Sequence, residues 1–568
     1  MSQENKPKPS SEGFEKLVTV LISSVAILVA VTAFLQNTAA GISDEARRHA
    51  QEHALNSTNK ELSGTIQYSY QWQGAYQTWK EIDLQITAAE QSGDDAAAER
   101  YRKLKEKIAA LSPMLGSAYF DPLSTSYPDT YKYESDIYLV ESTKLNEEYV
   151  AESEIGRVTD DIADSFIVQL TLLTVTLSLY GLSITLRGNL RWLFVIVGSA
   201  IVAVCLLWMG WELLLLGTRP TVSMPAINAY AEGTGLSYQA KYDEAISKFD
   251  TAIAEKPDYA KAYYDRGFAY YYKNDLDRAI NDFETARSLG LNDRYTNWNL
   301  AWAYYLDGRY QEAIDTNNEI LSKDPTVLGM QMNQALTYLA MGNTDLAKDE
   351  YDLMIQEANR QVTDAHNKGQ EPSASLWYYM DAGANDLQNL IDQLDGNPRS
   401  WTQAPDPNLV NGDHNAIRDF AYQQMVRLKE TTVSLEYTGN LPQTMADMKM
   451  EPFAFGKITS TDNEGFITGF EKDEDATFPY GTNAVSVEFT YSGSAPNKQL
   501  IWKVYINGYE DQSLRKVSET DLSTGSKWYM TFGFDYTNVF ILSPGEYVVE
   551  LYVDSKLVQR GTFYVQDQ

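Results

Sequence analysis

Two histidines near the start of the chain have the type and spacing of a metal-binding pair. His49 and His53 are four residues apart with Glu52 between them, in the order H-x-x-E-H. Residues four apart share a helix face, so both imidazoles could hold Zn²⁺ while Glu52 polarises a water. No third ligand can be identified, and a solvated helix face explains the same five residues. We therefore expect no metal here.

The string resembles the motif of inverted zinc peptidases, which implies peptide hydrolysis as a remote alternative. A second candidate metal site has the spacing of a calcium loop, but Ser460 stands where aspartate is expected. A turn at Asn463–Gly465 between two strands is the simpler explanation of these residues. The calcium loop would comprise Ser460, Asp462, Glu464, Gly465, Ile467 and Glu471. The chain shows no defensible nucleophile–base pair or phosphate loop, so we predict a non-catalytic protein without a cofactor.

Composition restricts the class of protein further. The chain has 568 residues, which is too long for a single core, and a formal net charge of −32. Phosphate contact needs a surplus of lysine and arginine, so a broadly basic nucleic-acid binder is excluded. The one cysteine, Cys205, excludes an intrachain disulfide framework. A basic or neutral protein partner stays open.

A repeat dominates the middle of the chain. Small residues, aromatics and alanines recur with a period of 34, and the alanines are Ala245, Ala279, Ala313 and Ala347. The pattern resembles the tetratricopeptide repeat (TPR), a helix–turn–helix unit. The resemblance implies an all-α superhelix, or α-solenoid, of four repeats at 226–361. Such arrays bind other proteins and seldom do chemistry.

By this resemblance, the first helix of each repeat lines a concave groove. Helical spacing supports one stripe through the third repeat, distinct from the stripe of Ala301 and Tyr304 that packs within the array. The predicted partner-binding residues are Tyr264, Phe268, Tyr271, Tyr272, Tyr295, Trp298, Trp302 and Tyr305. This groove is aromatic and lacks the Lys/Arg clamp that captures a terminal carboxylate. Either it binds a partner segment, or the chain fills it with its own residues 362–440.

Three apolar runs, at 17–35, 165–186 and 192–216, have about the 20 residues needed to span a bilayer. Arg187 and Arg191 lie in the loop between the second and third runs, whereas Asp160 and Asp161 precede the second. Because loops rich in Lys and Arg stay on the cytoplasmic side of the membrane, the N-terminus and the 187–191 loop are predicted to be cytoplasmic. The bulk of the chain is then extracytoplasmic, at the cell surface.

These features predict the domain order. We expect a cytoplasmic tail at 1–16, an extracytoplasmic helical insertion at 36–164, the TPR array at 226–361 and a helical cap at 362–440. From 441 to 568 the hydrophobic period becomes two, as in Val485, Val487 and Phe489. Short strands with turns such as Asp554–Ser555 predict an antiparallel β-sandwich. Its last hairpin resembles that of bacterial immunoglobulin-like (Ig-like) domains.

These predictions favour a membrane-anchored scaffold or adaptor that binds a protein or peptide partner through the TPR groove. The alternative is a cell-surface module in which the β-sandwich and the aromatic groove bind glycan or cell-wall polymer, because aromatic faces also stack on sugars. Self-association into a homo-oligomer is left open, and no nucleic acid is expected.

Overall fold

The computed structural model describes residues 9–123, 125, 127–399, 403–439, 449–461, 467–480, 482–492, 495–522, 527–533 and 542–566. The chain divides into two compact units, Met1–Ala262 and Tyr263–Gln568. The first unit holds the apolar helices, and the second holds the β-strands.

Long helices build the first unit. α1 (Pro9–Ser69) passes through a π-helical turn (Tyr70–Tyr76) into α2 (Gln77–Ser92). The helix therefore continues well past the end of the first apolar run. The remaining elements are α3 (Asp95–Leu111), a 3₁₀ turn (Pro113–Leu115), α4 (Thr130–Glu134), a π-turn (Ser135–Leu139), α5 (Val140–Thr185) and α6 (Leu190–Gly217). The Asp94 side chain caps the start of α3 by accepting a hydrogen bond from the Ala97 amide.

The helices α1 and α5 pair in opposite directions. The Ser43 hydroxyl donates to the Gly156 carbonyl and the Ser57 hydroxyl donates to the Ser142 carbonyl, each at 2.9 Å. As the residue number rises on α1 it falls on α5, so the two helices form an antiparallel hairpin. Three helical stretches of this unit are long and apolar enough to cross a membrane: Glu12–Ser92, Thr130–Thr185 and Leu190–Gly217.

Four helix pairs follow in the order expected of the repeat. The pairs are α7 (Met224–Tyr238) with α8 (Tyr242–Glu255), α9 (Ala260–Tyr272) with α10 (Leu276–Ser288), α11 (Arg294–Leu306) with α12 (Tyr310–Leu321), and α13 (Leu328–Ala340) with α14 (Thr344–Asn367). Asn274 lies in the turn of the second pair and Gly308 in that of the third, with φ of 59° and 77°. Such left-handed backbone suits asparagine and glycine.

The repeated residues form the contacts within each pair. All four period-34 alanines are fully buried. In the first two pairs a glycine lets an aromatic ring approach the backbone: a Cβ on Gly233 would lie 2.7 Å from the Phe249 ring, and one on Gly267 would lie 3.0 Å from the Phe283 ring. The repeat therefore encodes close helix packing.

Two further helices, α15 (Ala374–Leu394) and α16 (His414–Thr438), are separated by a 3₁₀ turn (Pro407–Leu409). Both helices lie within the range 362–440 that was predicted to be helical. The Asp413 side chain starts α16 by accepting from the amides of Asn415 and Ala416.

The C-terminal region contains two β-sheets. The strands are β1 (Lys449–Met450), β2 (Ala454–Thr461), β3 (Ile467–Lys472), β4 (Thr477–Phe478), β5 (Val485–Ser492), β6 (Ala495–Ile506), β7 (Tyr509–Glu510), β8 (Lys516–Leu522), β9 (Lys527–Phe532), β10 (Gly545–Val553) and β11 (Lys556–Val565). One sheet has the order β1-β5-β2-β3 with β9 on β5, and the other β4-β11-β10-β6-β7 with β8 on β6. Among the described strands, the pairings are antiparallel except for the short parallel β4–β11 pair.

Residues from both sheets share one apolar core, with Val487 and Phe489 from β5 packed in the same cluster as Trp502 from β6. The predicted hairpin turn is confirmed: Asp554 and Ser555 have φ of 46° and 71°, between β10 and β11. The predicted calcium loop falls largely on 462–466, which lie outside the described residues.

Candidate functional site

Five of the eight predicted groove residues line one cavity in the second unit. The cavity has a volume of about 1400 Å³. It is lined by five of the predicted aromatic residues: Phe268, Tyr271, Tyr272, Trp298 and Trp302. α9 supplies the first three and α11 the two tryptophans, which stand four residues apart on one helix face.

A hydrogen-bonded chain fixes the two helices at this wall. The Trp302 Nε1 donates to the Tyr271 hydroxyl at 2.9 Å, and that hydroxyl donates to the Gln403 side chain. Burial raises the pKa of Tyr271 well above its ordinary value, so its hydroxyl stays protonated. The ring positions are therefore set by polar partners as well as by packing.

The other predicted groove residues do not line the cavity. Tyr305 is 1% exposed and packs against Tyr310, with ring centroids 6.3 Å apart. Tyr295 is 58% exposed at the start of α11. The stripe 295–298–302–305 spans eleven residues, and its two end residues lie outside the cavity wall. Tyr264 instead accepts a hydrogen bond from Asn299 at 2.7 Å.

Part of the groove is filled by the chain itself. On α15, Tyr379 packs against Trp298 with ring centroids 5.1 Å apart. Further along, α15 approaches α13 so closely that a Cβ on Gly383 would lie 2.9 Å from the Met332 sulfur. The helix thus occupies the α13 end of the groove, and the cavity is the part left open.

The remaining walls come from α15 and the β-region. Asp381, Asn385, Asp386 and Asn389 line the cavity from a single α15 face. The Asn385 amide donates to the Gly508 carbonyl at 2.7 Å, which joins α15 to the loop before β7. Sequence reasoning missed this wall, because a polar helix face has the same pattern as a solvated one.

Asp386 has an unusual environment. Burial raises the pKa of its carboxyl to about 7, against the lowering effect of a hydrogen bond with Asn389. Its charge is felt by the buried hydroxyls of Tyr305 and Tyr351 and by Tyr271 and Tyr378 on the cavity wall. Among the residues that the structure describes, no cation pairs with this carboxyl.

The basic side chains of the wall are already engaged. Arg399 lies 2.8 Å from Asp392, and Lys429 lies 2.6 Å from Glu550. Arg560 lies 3.5 Å from the same Glu550. Since each cation already faces a carboxylate, the described part of the wall offers little to an anionic ligand.

Asn333 adds a buried amide to the wall. It stands 34 residues after Asn299 and is 1% exposed. Neither polar atom of its side chain has a hydrogen-bond partner within the described part of the chain. Leaving a buried amide without a hydrogen bond costs roughly 1–3 kcal/mol of folding free energy. A ligand group that hydrogen-bonded to Asn333 would recover part of this cost.

The H-x-x-E-H residues lie elsewhere, on α1. The Nδ1 atom of His53 is 2.9 Å from Glu148, and that of His49 is 3.7 Å from Glu152, both on α5. Glu52 is exposed. Within the described ranges, no group of three or more His, Cys, Asp or Glu side chains is arranged to hold a metal ion.

Comparison with known proteins bears on the repeat region. Residues 230–271 and 264–327 match a tetratricopeptide repeat family model. Similar solved structures include MamA, with 18% sequence identity, coverage of 24% of this chain and 81% of MamA, and a TM-score of 0.23. The TPR protein YrrB, described with an unusual peptide-binding site, has 19% identity, coverage of 31% of this chain and 89% of YrrB, and a TM-score of 0.23. A tetratricopeptide repeat protein from Parabacteroides merdae has 13% identity, coverage of 61% of this chain and 99% of that protein, and a TM-score of 0.23. No curated protein matches this chain. The chain therefore carries tetratricopeptide repeats, of the kind that scaffold protein–protein interactions.

Proposed function

We propose that this protein is a membrane-anchored, non-catalytic adaptor that holds a segment of a partner protein in the cavity of its repeat region. The observation that carries the proposal is the open cavity of about 1400 Å³ beneath the predicted aromatic residues. Ligand sites are concave, mostly apolar and equipped with a few polar groups. Aromatic rings with buried amides fit a peptide segment, which offers both apolar side chains and backbone hydrogen bonds.

The apolar surface of the first unit supports the membrane anchor. Large side chains in the apolar runs point outward, with Ile27 66%, Phe34 68% and Leu207 80% exposed. Water disfavours a contiguous apolar surface of this kind, whereas lipid tails accept it. The described residues surrounding the cavity hold no nucleophile–base pair, which is why we propose binding rather than catalysis. In the same proposal the two-sheet region is an Ig-like accessory domain.

A partner pull-down with the full-length protein tests the function. Tyr272, Tyr378 and Tyr509 line the cavity and are 54%, 62% and 74% exposed, so their replacement by alanine leaves the core intact. We expect the triple variant to lose crosslinked partners at unchanged melting temperature. The matched control is Tyr422→Ala, which removes an equally exposed ring (54%) outside the cavity wall. Identical partner recovery from both variants and the wild type would refute the proposal.

Cysteine labelling tests the proposed orientation. In a Cys205→Ala background, Asn189→Cys places a thiol between α5 and α6, and Ser92→Cys places one at the end of α2. An impermeant maleimide should label intact cells only through position 92. Labelling at position 189 from outside would invert the topology.

A glycan ligand is the second candidate, and the amide-rich wall favours it. Asn385, Gln388, Asn389 and Gln393 all line the cavity beside the aromatic rings. Amides pair with hydroxyls, and rings stack on sugar faces. Soluble cell-wall oligosaccharides added to the pull-down should leave partner recovery unchanged if a protein segment occupies the cavity. Competition by them would favour the glycan.

A further inference from the structure

We propose that the cavity is selective for an organic cation, a protonated amine or a guanidinium, held by the Asp386 carboxylate among aromatic rings. The inference rests on the proposed function in one respect, because the partner segment would supply this cation as a lysine or arginine side chain. It deepens that function by assigning the chemistry that the cavity selects.

Charge is the first step. Asp386 is a carboxylate of the cavity wall without a cationic partner in the described residues, whereas Arg399, Lys429 and Arg560 all face carboxylates. The other acidic group on this face, Asp381, has Lys503 and Lys429 as compensating charges. An incoming cation would complete the pairing of Asp386, while an anion would meet an uncompensated carboxylate.

The surrounding rings are the second step. The aromatic residues Tyr271, Trp302 and Tyr378 line the same cavity, and Asp386 interacts electrostatically with both tyrosines. Ring faces attract cations by about 0.5–2 kcal/mol, most strongly where water is excluded. A cavity lined by both a carboxylate and aromatic rings therefore favours a positive group on an apolar stem over a neutral one.

The third step is independent of charge. Asn333 lies in the same wall, 1% exposed, with an unpartnered amide. A primary ammonium donates three hydrogen bonds, and a peptide backbone offers both a donor and an acceptor. One cation together with its attached backbone could therefore satisfy both Asp386 and Asn333. A cavity of about 1400 Å³ also exceeds what a free amine would fill.

Binding measurements on the full-length protein test the inference. The probes are Ac-Gly-Lys-Gly-NH₂, its neutral norleucine counterpart and butylammonium, so that peptide and free amine are separate arms. Titration at pH 8 keeps Asp386 ionised. Binding is followed by calorimetry and by tryptophan fluorescence, since Trp298, Trp302 and Trp377 line the cavity.

We expect the lysine peptide to bind at least tenfold more tightly than the norleucine peptide, and Asp386→Asn to abolish that preference. Tyr378→Ala should weaken the lysine peptide severalfold, whereas Tyr378→Phe, which keeps the ring, should not. Asp345→Asn, which removes an exposed carboxylate outside the cavity wall, is the control. Because Asp386→Asn removes a poorly solvated charge, this variant should fold.

The outcomes separate the inference from the proposed function. Binding of butylammonium without the lysine peptide would support the cation site but not a partner segment as its source. Equal binding of both peptides, no binding of any probe, or a preference that survives Asp386→Asn would overturn the inference. The proposed function would still stand in these last cases if the pull-down showed that partner recovery depends on the exposed tyrosines.

Discussion

Replacing Asp386 by asparagine should remove a distinct pH dependence from the stability of the second unit. The carboxyl is half-buried on α15, and burial raises its pKa to about 7. In the unfolded chain the same group titrates near its ordinary value of 3.8. The native state therefore retains a proton over a pH range in which the unfolded state has lost it.

The sign and the size of the effect of pH on stability follow from this difference in pKa between the folded and unfolded states. One pKa unit corresponds to about 1.36 kcal/mol, so the change from 3.8 to about 7 corresponds to roughly 4 kcal/mol at most. The stabilisation is complete below about pH 4 and is lost as the pH rises through 7. Between pH 5 and pH 8 the loss is about 2–3 kcal/mol. The partial exposure of Asp386 reduces this value, because solvent stabilises the ionised form.

Thermal unfolding of the full-length protein in detergent, followed by tryptophan fluorescence, is the assay. Between pH 5 and pH 8, the melting temperature of the wild type should fall by several degrees more than that of Asp386→Asn. At pH 8 the variant should be the more stable protein. Asp345→Asn should follow the wild type. If wild type and Asp386→Asn respond equally to pH, or the wild type gains stability relative to the variant as pH rises, the description of this carboxyl is wrong.

Three further predictions concern packing and buried charge, and each is read from the same melting curves. Gly233→Ala should destabilise the protein by about 1–3 kcal/mol, because the added Cβ would lie 2.7 Å from the Phe249 ring; a rise in melting temperature would show that the ring can move. Asn317→Leu should stabilise it by about 1–3 kcal/mol, because the Asn317 amide is fully buried and unpartnered within the described chain. Glu550→Gln should cost about 3–5 kcal/mol, because Lys429 at 2.6 Å and Arg560 at 3.5 Å would both lose their carboxylate partner.

The repeat could be predicted from the sequence because its packing is local. Each period-34 alanine lies in a helix that packs on the preceding helix of the same pair, and all four are fully buried. Gly267 and Phe283 are only 16 residues apart, and the lack of a side chain on the glycine lets the Phe283 ring approach its backbone. The buried alanine recurs in all four pairs, so the spacing alone reveals the repeat.

The cavity could be predicted only in part, because its second wall depends on distant contacts. The stripe of Trp298 and Trp302 follows from helical spacing. Asp386 faces the same space from a helix more than 80 residues further along the chain, and no local pattern links it to the rings. The position of α15 is set by tertiary contacts such as Gly383 against Met332. Where a helix docks in this way, its polar side chains change from solvated residues to a binding wall.

Net charge and the cavity act at different ranges in the choice of partner. A chain of net charge −32 attracts basic partners from solution, but at physiological salt this attraction decays over about 8 Å. It therefore raises the rate of encounter without distinguishing one basic segment from another. In our proposal, selection comes from contacts with Asp386 and the rings, because salt screens charge pairing at contact distance less than it screens long-range attraction. Raising the ionic strength should slow association of a basic partner while leaving its preference for lysine over norleucine largely intact, and only the second effect depends on Asp386.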